Sequence, residues 1–221
     1  MPLPNRVDPF GELLAVEERG TMLGNRGGKF HRDDRTLGSR RFVSRQWICC
    51  RLEFNGRRRV VWGNAYTELF FLDEVTAFAA GHRPCFECRR RDAETFAELW
   101  ARVRRQTHRG RAAEMDTVLH QERLDGCLKR QHRLSINNLP EGAIIQLDDQ
   151  PWAVRKDALL LWTPSGYRER QQRPTNISVA VLTPPSILDV LSSGYPLQWH
   201  KSADTAFGTS NSYPRLADDS L

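Results

Sequence analysis

Hydrophobic positions recur along this chain with two different periods. Ile48, Cys50, Leu52 and Phe54 alternate with Trp47, Cys49, Arg51 and Glu53, the two-residue period of a strand, and Cys50 falls on the apolar side. Asn55-Gly56 follows, a pair that tolerates positive φ at both positions. Arg58 to Trp62 therefore reads as the return strand of a β-hairpin over 47–62. Val75, Phe78 and Ala79 have helical spacing, with Asp73 as N-cap, Glu74 in the first turn and Gly81 as terminator. Phe96, Leu99, Trp100 and Val103 mark the apolar face of a second helix capped by Asp92, and residues 113–124 read as a third. Residues 20–28 are glycine-rich and read as a loop, able to approach a phosphate but matching no phosphate-binding spacing.

The character changes near Pro140. Short strands are expected at Ala143–Leu147, Trp152–Arg155, Ala158–Trp162 and Ile177–Leu182, with turns at Asp148-Asp149 and Ser165-Gly166. Thr183-Pro184 opens a last helix and Gly194 closes it. The pattern gives an α+β fold with four stretches. These are an N-terminal segment (1–18), a cysteine-bearing region (19–111), a helix followed by a β-rich half (112–202), and a small polar tail (203–221) expected to be disordered.

Composition narrows the class. The chain has 221 residues, 39% hydrophobic and 27% charged, enough to bury a core without disulfide staples. The N-terminus shows no apolar leader and no apolar run reaches membrane-spanning length, so a cytoplasmic protein with no membrane partner is expected. Five cysteines, an odd number, speak against a disulfide framework there. Charge is unevenly spread. Residues 19–111 hold 21 Lys and Arg against 10 Asp and Glu, a net +11, while 1–18 carry −3 and 112–221 carry −2. Such asymmetry fits an electrostatic footprint for nucleic acid. The candidate contacts are Arg26, Arg57, Arg58, Arg59, Arg83, Arg89, Arg90 and Arg91.

Cys85-Phe86-Glu87-Cys88 sits inside that basic segment. A Cys-x-x-Cys turn can offer two thiolates to one Zn²⁺, half of a tetrahedral site. Redox use would need a thioredoxin-like βαβ setting, which is missing; two plain core cysteines are the other reading. The order hairpin, knuckle, helix is that of a treble-clef zinc module. Cys50, on the apolar side of its strand, is the third candidate ligand; Cys49 points the other way. Cys127, remote from the hairpin, is expected in the core.

Phe70-Phe71-Leu72-Asp73-Glu74-Val75, Ala79-Ala80-Gly81, His82-Arg83-Pro84-Cys85 and Cys88-Arg89 resemble the second half of the metal-binding domain of the Ada DNA-repair family. The resemblance spans residues 70–91, about a tenth of the chain. It implies zinc as cofactor, an Ada-like module and DNA as partner. It departs from the family upstream, where Ada carries a further cysteine pair, one of which accepts a methyl group from a DNA phosphotriester. Here that region offers only the adjacent Cys49 and Cys50. Related zinc modules carry an aromatic-His upstream of the cysteines, which makes His31, after Phe30, the implied fourth ligand.

A second candidate site lies on the third helix. Asp116 and His120, four residues apart, share a helix face and suit a divalent ion or acid–base work, with His200 as a possible third member. An ordinary charged helix is the alternative. Trp152, Trp162, Tyr167, Tyr195 and Trp199 suit core positions better than base stacking. The expected function is a zinc-binding, DNA-interacting protein linked to DNA repair or processing. Two alternatives stand beside it: a metal-dependent nuclease acting on DNA or RNA through Asp116 and His120, and a zinc-stabilised protein-interaction scaffold.

Overall fold

The computed structural model describes residues 1–57 and 60–206. Within them the chain is α+β, with three sheets and five α-helices. The first sheet is built from β1 (Arg6–Val7), β2 (Leu13–Leu14), β3 (Met22–Arg26), β4 (Trp47–Arg51), β5 (Leu69–Phe71) and β6 (Arg83–Pro84), in the order β2-β1-β5-β3-β4-β6. The β1/β5 and β4/β6 pairs are parallel and the others antiparallel. The N-terminal segment 1–18 thus contributes two strands to the sheet that holds the cysteines.

Two expectations fail here. The strand at Trp47 does not return on itself as a hairpin. Its antiparallel partner is β3, inside the stretch read as a glycine-rich loop. Asn55 and Gly56 do turn, with φ of 50° and 64°, but residues 60–62 form no strand, and Arg58 and Arg59 lie outside the described residues. The glycine that disguised β3 has a packing reason. A Cβ at Gly24 would stand 2.4 Å from the Ile48 carbonyl oxygen and 2.6 Å from the Phe71 ring.

Helix α1 (Glu74–Ala79) begins as expected, with the Asp73 carboxylate accepting from Thr76 N at 2.9 Å, and Gly81 ends it at φ +84°. Helix α2 (Arg90–Val103) starts earlier than expected. Arg89 stands at its N-cap position, and Asp92 lies in its first turn rather than capping it. Helix α3 (Ala112–Arg123) runs into the small hairpin of β7 (Leu124–Asp125) and β8 (Leu128–Lys129), which leaves Cys127 exposed rather than in the core.

The third sheet is antiparallel throughout. It contains β9 (His132–Ser135), β10 (Ile144–Leu147), β11 (Gln150–Arg155), β12 (Ala158–Thr163), β13 (Gly166–Gln172) and β14 (Ser178–Val181), ordered β13-β12-β11-β10-β14-β9. β9 and β13 are polar in sequence, which hid them. Asp148 and Asp149 make the β10–β11 turn at φ 50° and 59°. Helix α4 (Pro185–Ser192) follows, while the Thr183 hydroxyl accepts from Ile144 N instead of capping it. Helix α5 (Ser202–Thr205), with Ala203 buried, occupies the start of the expected tail, whose remainder from 207 lies outside the described residues.

One core joins helices: Phe78 of α1, Phe96 and Trp100 of α2, Met115 and Leu119 of α3, and Ile187 and Val190 of α4. Each such aliphatic or phenyl side chain contributes about 1.5–3 kcal/mol by burial. A second core seats α1 on the third sheet through Val75 and Ala79 against Ile144, Leu160 and Trp162. Polar ties reinforce that seat. Trp162 Nε1 donates to Thr76 Oγ1 at 2.9 Å, and Tyr167 Oη donates to Asp73 at 3.0 Å. Trp152, Trp162, Tyr167 and Tyr195 are buried, as core residues should be.

Candidate metal centre

Alternation along β4 divides its side chains between two faces. Trp47 and Cys49 enter the deep core, where Cys49 packs with Met22, Leu69 and Phe71 and is fully buried. Ile48 and Cys50 face the other way, into a cluster of Leu23, Phe54, Phe70, Cys85 and Cys88. Strand β6 places the knuckle. It pairs in parallel with β4 at Ile48–Arg83 and Cys49–Pro84, so the next residue, Cys85, lands beside Cys50, and its N–H donates to Cys49 O at 3.0 Å. The turn into α2 brings Cys88 back to the same point.

The Sγ atoms of Cys50, Cys85 and Cys88 all lie within 4.8 Å of one another. Backbone amides aim at two of them: Arg51 N at Cys88 Sγ and Glu87 N at Cys85 Sγ, both 3.4 Å. Amides in this arrangement favour thiolate, the form that binds metal. Interaction with Cys50 and Cys88 holds the Cys85 thiol well below its ordinary value, while interaction with Cys85 and Cys88, with burial, pushes Cys50 up. By contrast, burial alone leads the rise of Cys49 to about 12.

The trio opens on a cavity of about 520 Å³ whose lining includes Arg57, Tyr66, Glu68 and Glu87. Among the described residues no fourth Cys, His, Asp or Glu joins the three. Comparison with family models, with curated proteins and with solved structures gives no match.

His31 is not in the cluster, and its surroundings explain why. Its Nδ1 meets Thr67 Oγ1 at 2.8 Å, its Nε2 meets Gly63 O at 3.1 Å, and its ring stacks on Trp62 at 5.0 Å. Both nitrogens are spent on a loop clamp, so His31 is corrected from ligand to structural residue. Asp116 and His120 are corrected too. Asp116 is buried and accepts both prongs of the Arg83 guanidinium at 2.8 Å. His120 Nδ1 faces Arg123 at 3.1 Å and its ring meets Phe42 edge-on, while burial, then Arg123 and Arg45, lower its pKa. A buried carboxylate neutralised by a bidentate guanidinium is held as the partner of that cation and is not presented to an incoming metal or substrate. His200 is elsewhere, against Ser202 Oγ at 2.8 Å.

The arginines divide. Arg83 serves Asp116, and Arg89 serves Glu74 at 2.5 Å and Asp92 at 2.7 Å. Arg26 lies over the Trp47 ring. All three are at most 2% exposed, so none stands on an exposed face that could meet a nucleic-acid backbone. Arg57, Arg90 and Arg91 are exposed, with Arg57 bonded to Glu87 and Arg90 to Glu94. No helix is long and apolar enough to cross a membrane among the described residues.

Proposed function

We propose that this chain is a zinc-binding protein that meets nucleic acid, DNA in the first instance, in repair or processing. The observation that carries the reading is the convergence of three thiols from two separate segments. In this proposal zinc is held by Cys50, Cys85 and Cys88, pins β4 to the knuckle and α2, and turns its fourth side toward the 520 Å³ cavity. That open side favours an exchangeable ligand over a closed structural site. The Ada-like reading of residues 70–91 belongs to the same proposal, since α1, β6, the knuckle and α2 follow one another there.

The basic footprint moves rather than vanishes. Arg32, Arg35, Arg40, Arg41 and Arg45, between β3 and β4, are all exposed and join Arg57, Arg90 and Arg91 as the phosphate-facing set. Cobalt(II) substitution tests the ligand set. Thiolate-to-cobalt charge-transfer absorption is expected, reduced in Cys50→Ser and unchanged in Cys49→Ser. DNA affinity should fall steeply with salt, and Arg40→Ala with Arg41→Ala should flatten the slope by about two. Zinc binding with no salt-sensitive DNA affinity would favour the scaffold reading instead.

A further inference from the structure

Across β4 from the cysteine trio, Trp47 borders a second cavity, of about 490 Å³, which the metal reading does not use. Arg26, Arg123 and Lys129 line it. Arg26 and Arg123 are 1% and 0% exposed, and both guanidinium groups lie 4.0 Å from the centre of the Trp47 ring system. Their acceptors are mostly neutral backbone carbonyls. Arg26 donates to Gly11 O at 2.8 Å, Arg123 to Gly81 O at 2.8 Å and Arg45 O at 2.7 Å, and half-buried Lys129 to Ala79 O. Arg123 Nε is buried with no hydrogen-bond partner.

Elsewhere this protein neutralises its buried arginines, Arg83 with Asp116 and Arg89 with Glu74. Among the described residues, none of the three cations at this cavity has a carboxylate at ion-pair distance. Glu12, which also lines the cavity, and Asp8 and Asp116 act on them from beyond ion-pair distance. Burial pushes Lys129 down to about 7, Arg123 to about 8 and Arg26 to about 9, the mark of cations short of negative charge. Buried charges are ordinarily paired, so the missing partner is an anion.

We propose that this cavity binds a phosphomonoester carrying an apolar body. Charge selects the head group. A carboxylate would leave two of the three cations unmatched, whereas a phosphomonoester brings two negative charges and oxygens that guanidinium forks match in pairs. Phe10, Phe42, Val43 and Leu124 supply the apolar wall, and exposed Arg40 and Arg41 stand at the rim. The volume suits a small organic ligand.

The test is calorimetry and thermal denaturation of the full chain with phenyl phosphate, inorganic phosphate and benzoate. Phenyl phosphate should bind once per chain and raise Tm, more tightly than inorganic phosphate or benzoate. Lys129→Met should weaken it by about tenfold or more. That variant should leave the Tm of the free protein equal or higher, because it removes a poorly paired cation. Arg41→Ala, at the exposed rim, should weaken binding with the fold untouched. Paired oligonucleotides with a 5′-phosphate or a 5′-hydroxyl separate two sources of the head group. Dependence on the 5′-phosphate assigns it to a nucleic-acid end, and a response to phenyl phosphate alone assigns it to a free small molecule. No saturable response to any phosphate, equal binding of benzoate, or undiminished binding by Lys129→Met would overturn the proposal.

Discussion

Strand β4 separates two cavities of nearly equal volume, about 520 and 490 Å³, with opposite chemistry. On the Cys50 side three sulfurs gather, with backbone amides aimed at two of them. On the Trp47 side three cations gather and, among the described residues, hydrogen-bond to carbonyl and imidazole acceptors alone. Each side is electrostatically incomplete in the opposite sense: the first calls for a cation and the second for an anion. A strand with a two-residue period can serve both, because Ile48 and Cys50 belong to one face and Trp47 and Cys49 to the other.

The largest effect should come from breaking the sulfur side. Cys85→Ser removes a thiolate that anchors the β4–β6–α2 junction, and loss of a metal site of this kind is expected to cost at least about 3–5 kcal/mol in urea denaturation. Chelator should then add nothing further. A clear second drop on chelation would mean that the other thiols hold metal without Cys85.

Next comes the charged network behind Cys49. Glu74 is fully buried and accepts from Arg89, from Tyr195 Oη at 2.9 Å and from Gln198 N at 3.0 Å. Glu74→Gln removes the buried one of the two carboxylates on Arg89 and leaves only Asp92 at the edge, an expected loss of about 3 kcal/mol by denaturation, with zinc content unchanged. Zinc lost in step with stability would show that the two faces are not independent.

His31→Ala should cost about 1–3 kcal/mol, through Thr67 and the Trp62 stack, and leave metal content at the wild-type level. A halved metal content would return His31 to the ligand set. The smallest effect is a pH dependence on the cation side. Lys129 has a folded-state pKa lowered to about 7 from 10.5, so above pH 7 the unfolded chain binds more protons and stability rises with pH. Asp8, raised to about 6 from 3.8, acts in the opposite sense but below pH 7. Between pH 7 and 8.5 the wild type should gain up to about 1 kcal/mol over Lys129→Met. Parallel pH profiles for the two proteins would remove the burden from Lys129.

The sulfur side was largely legible in the sequence because its signals are local. Alternation placed Cys50 apart from Cys49, and the Cys-x-x-Cys spacing needed only the β6 pairing to meet it. The cation side was not legible. Arg26, Arg83, Arg89 and Arg123 look like surface arginines until partners as much as 78 residues away, such as Arg45 O for Arg123, are brought in by the fold. The hairpin at 47–62 was misread for a related reason. Asn55-Gly56 turns locally as its chemistry dictates, yet β4 takes the non-local β3, where Gly24 is required by the Phe71 ring rather than by a loop. His31 misled because its stack on Trp62 and its bond to Thr67 depend on residues over thirty positions on.

The central claim is that the Cys50 face, and not the Cys49 face, binds metal. Zinc per chain, measured by mass spectrometry on freshly purified protein with Cys49→Ser and Cys50→Ser beside it, tests this most directly. The account predicts one zinc in the wild type and in Cys49→Ser, and a clear loss in Cys50→Ser. No zinc in the wild type, or equal zinc in all three, would contradict it.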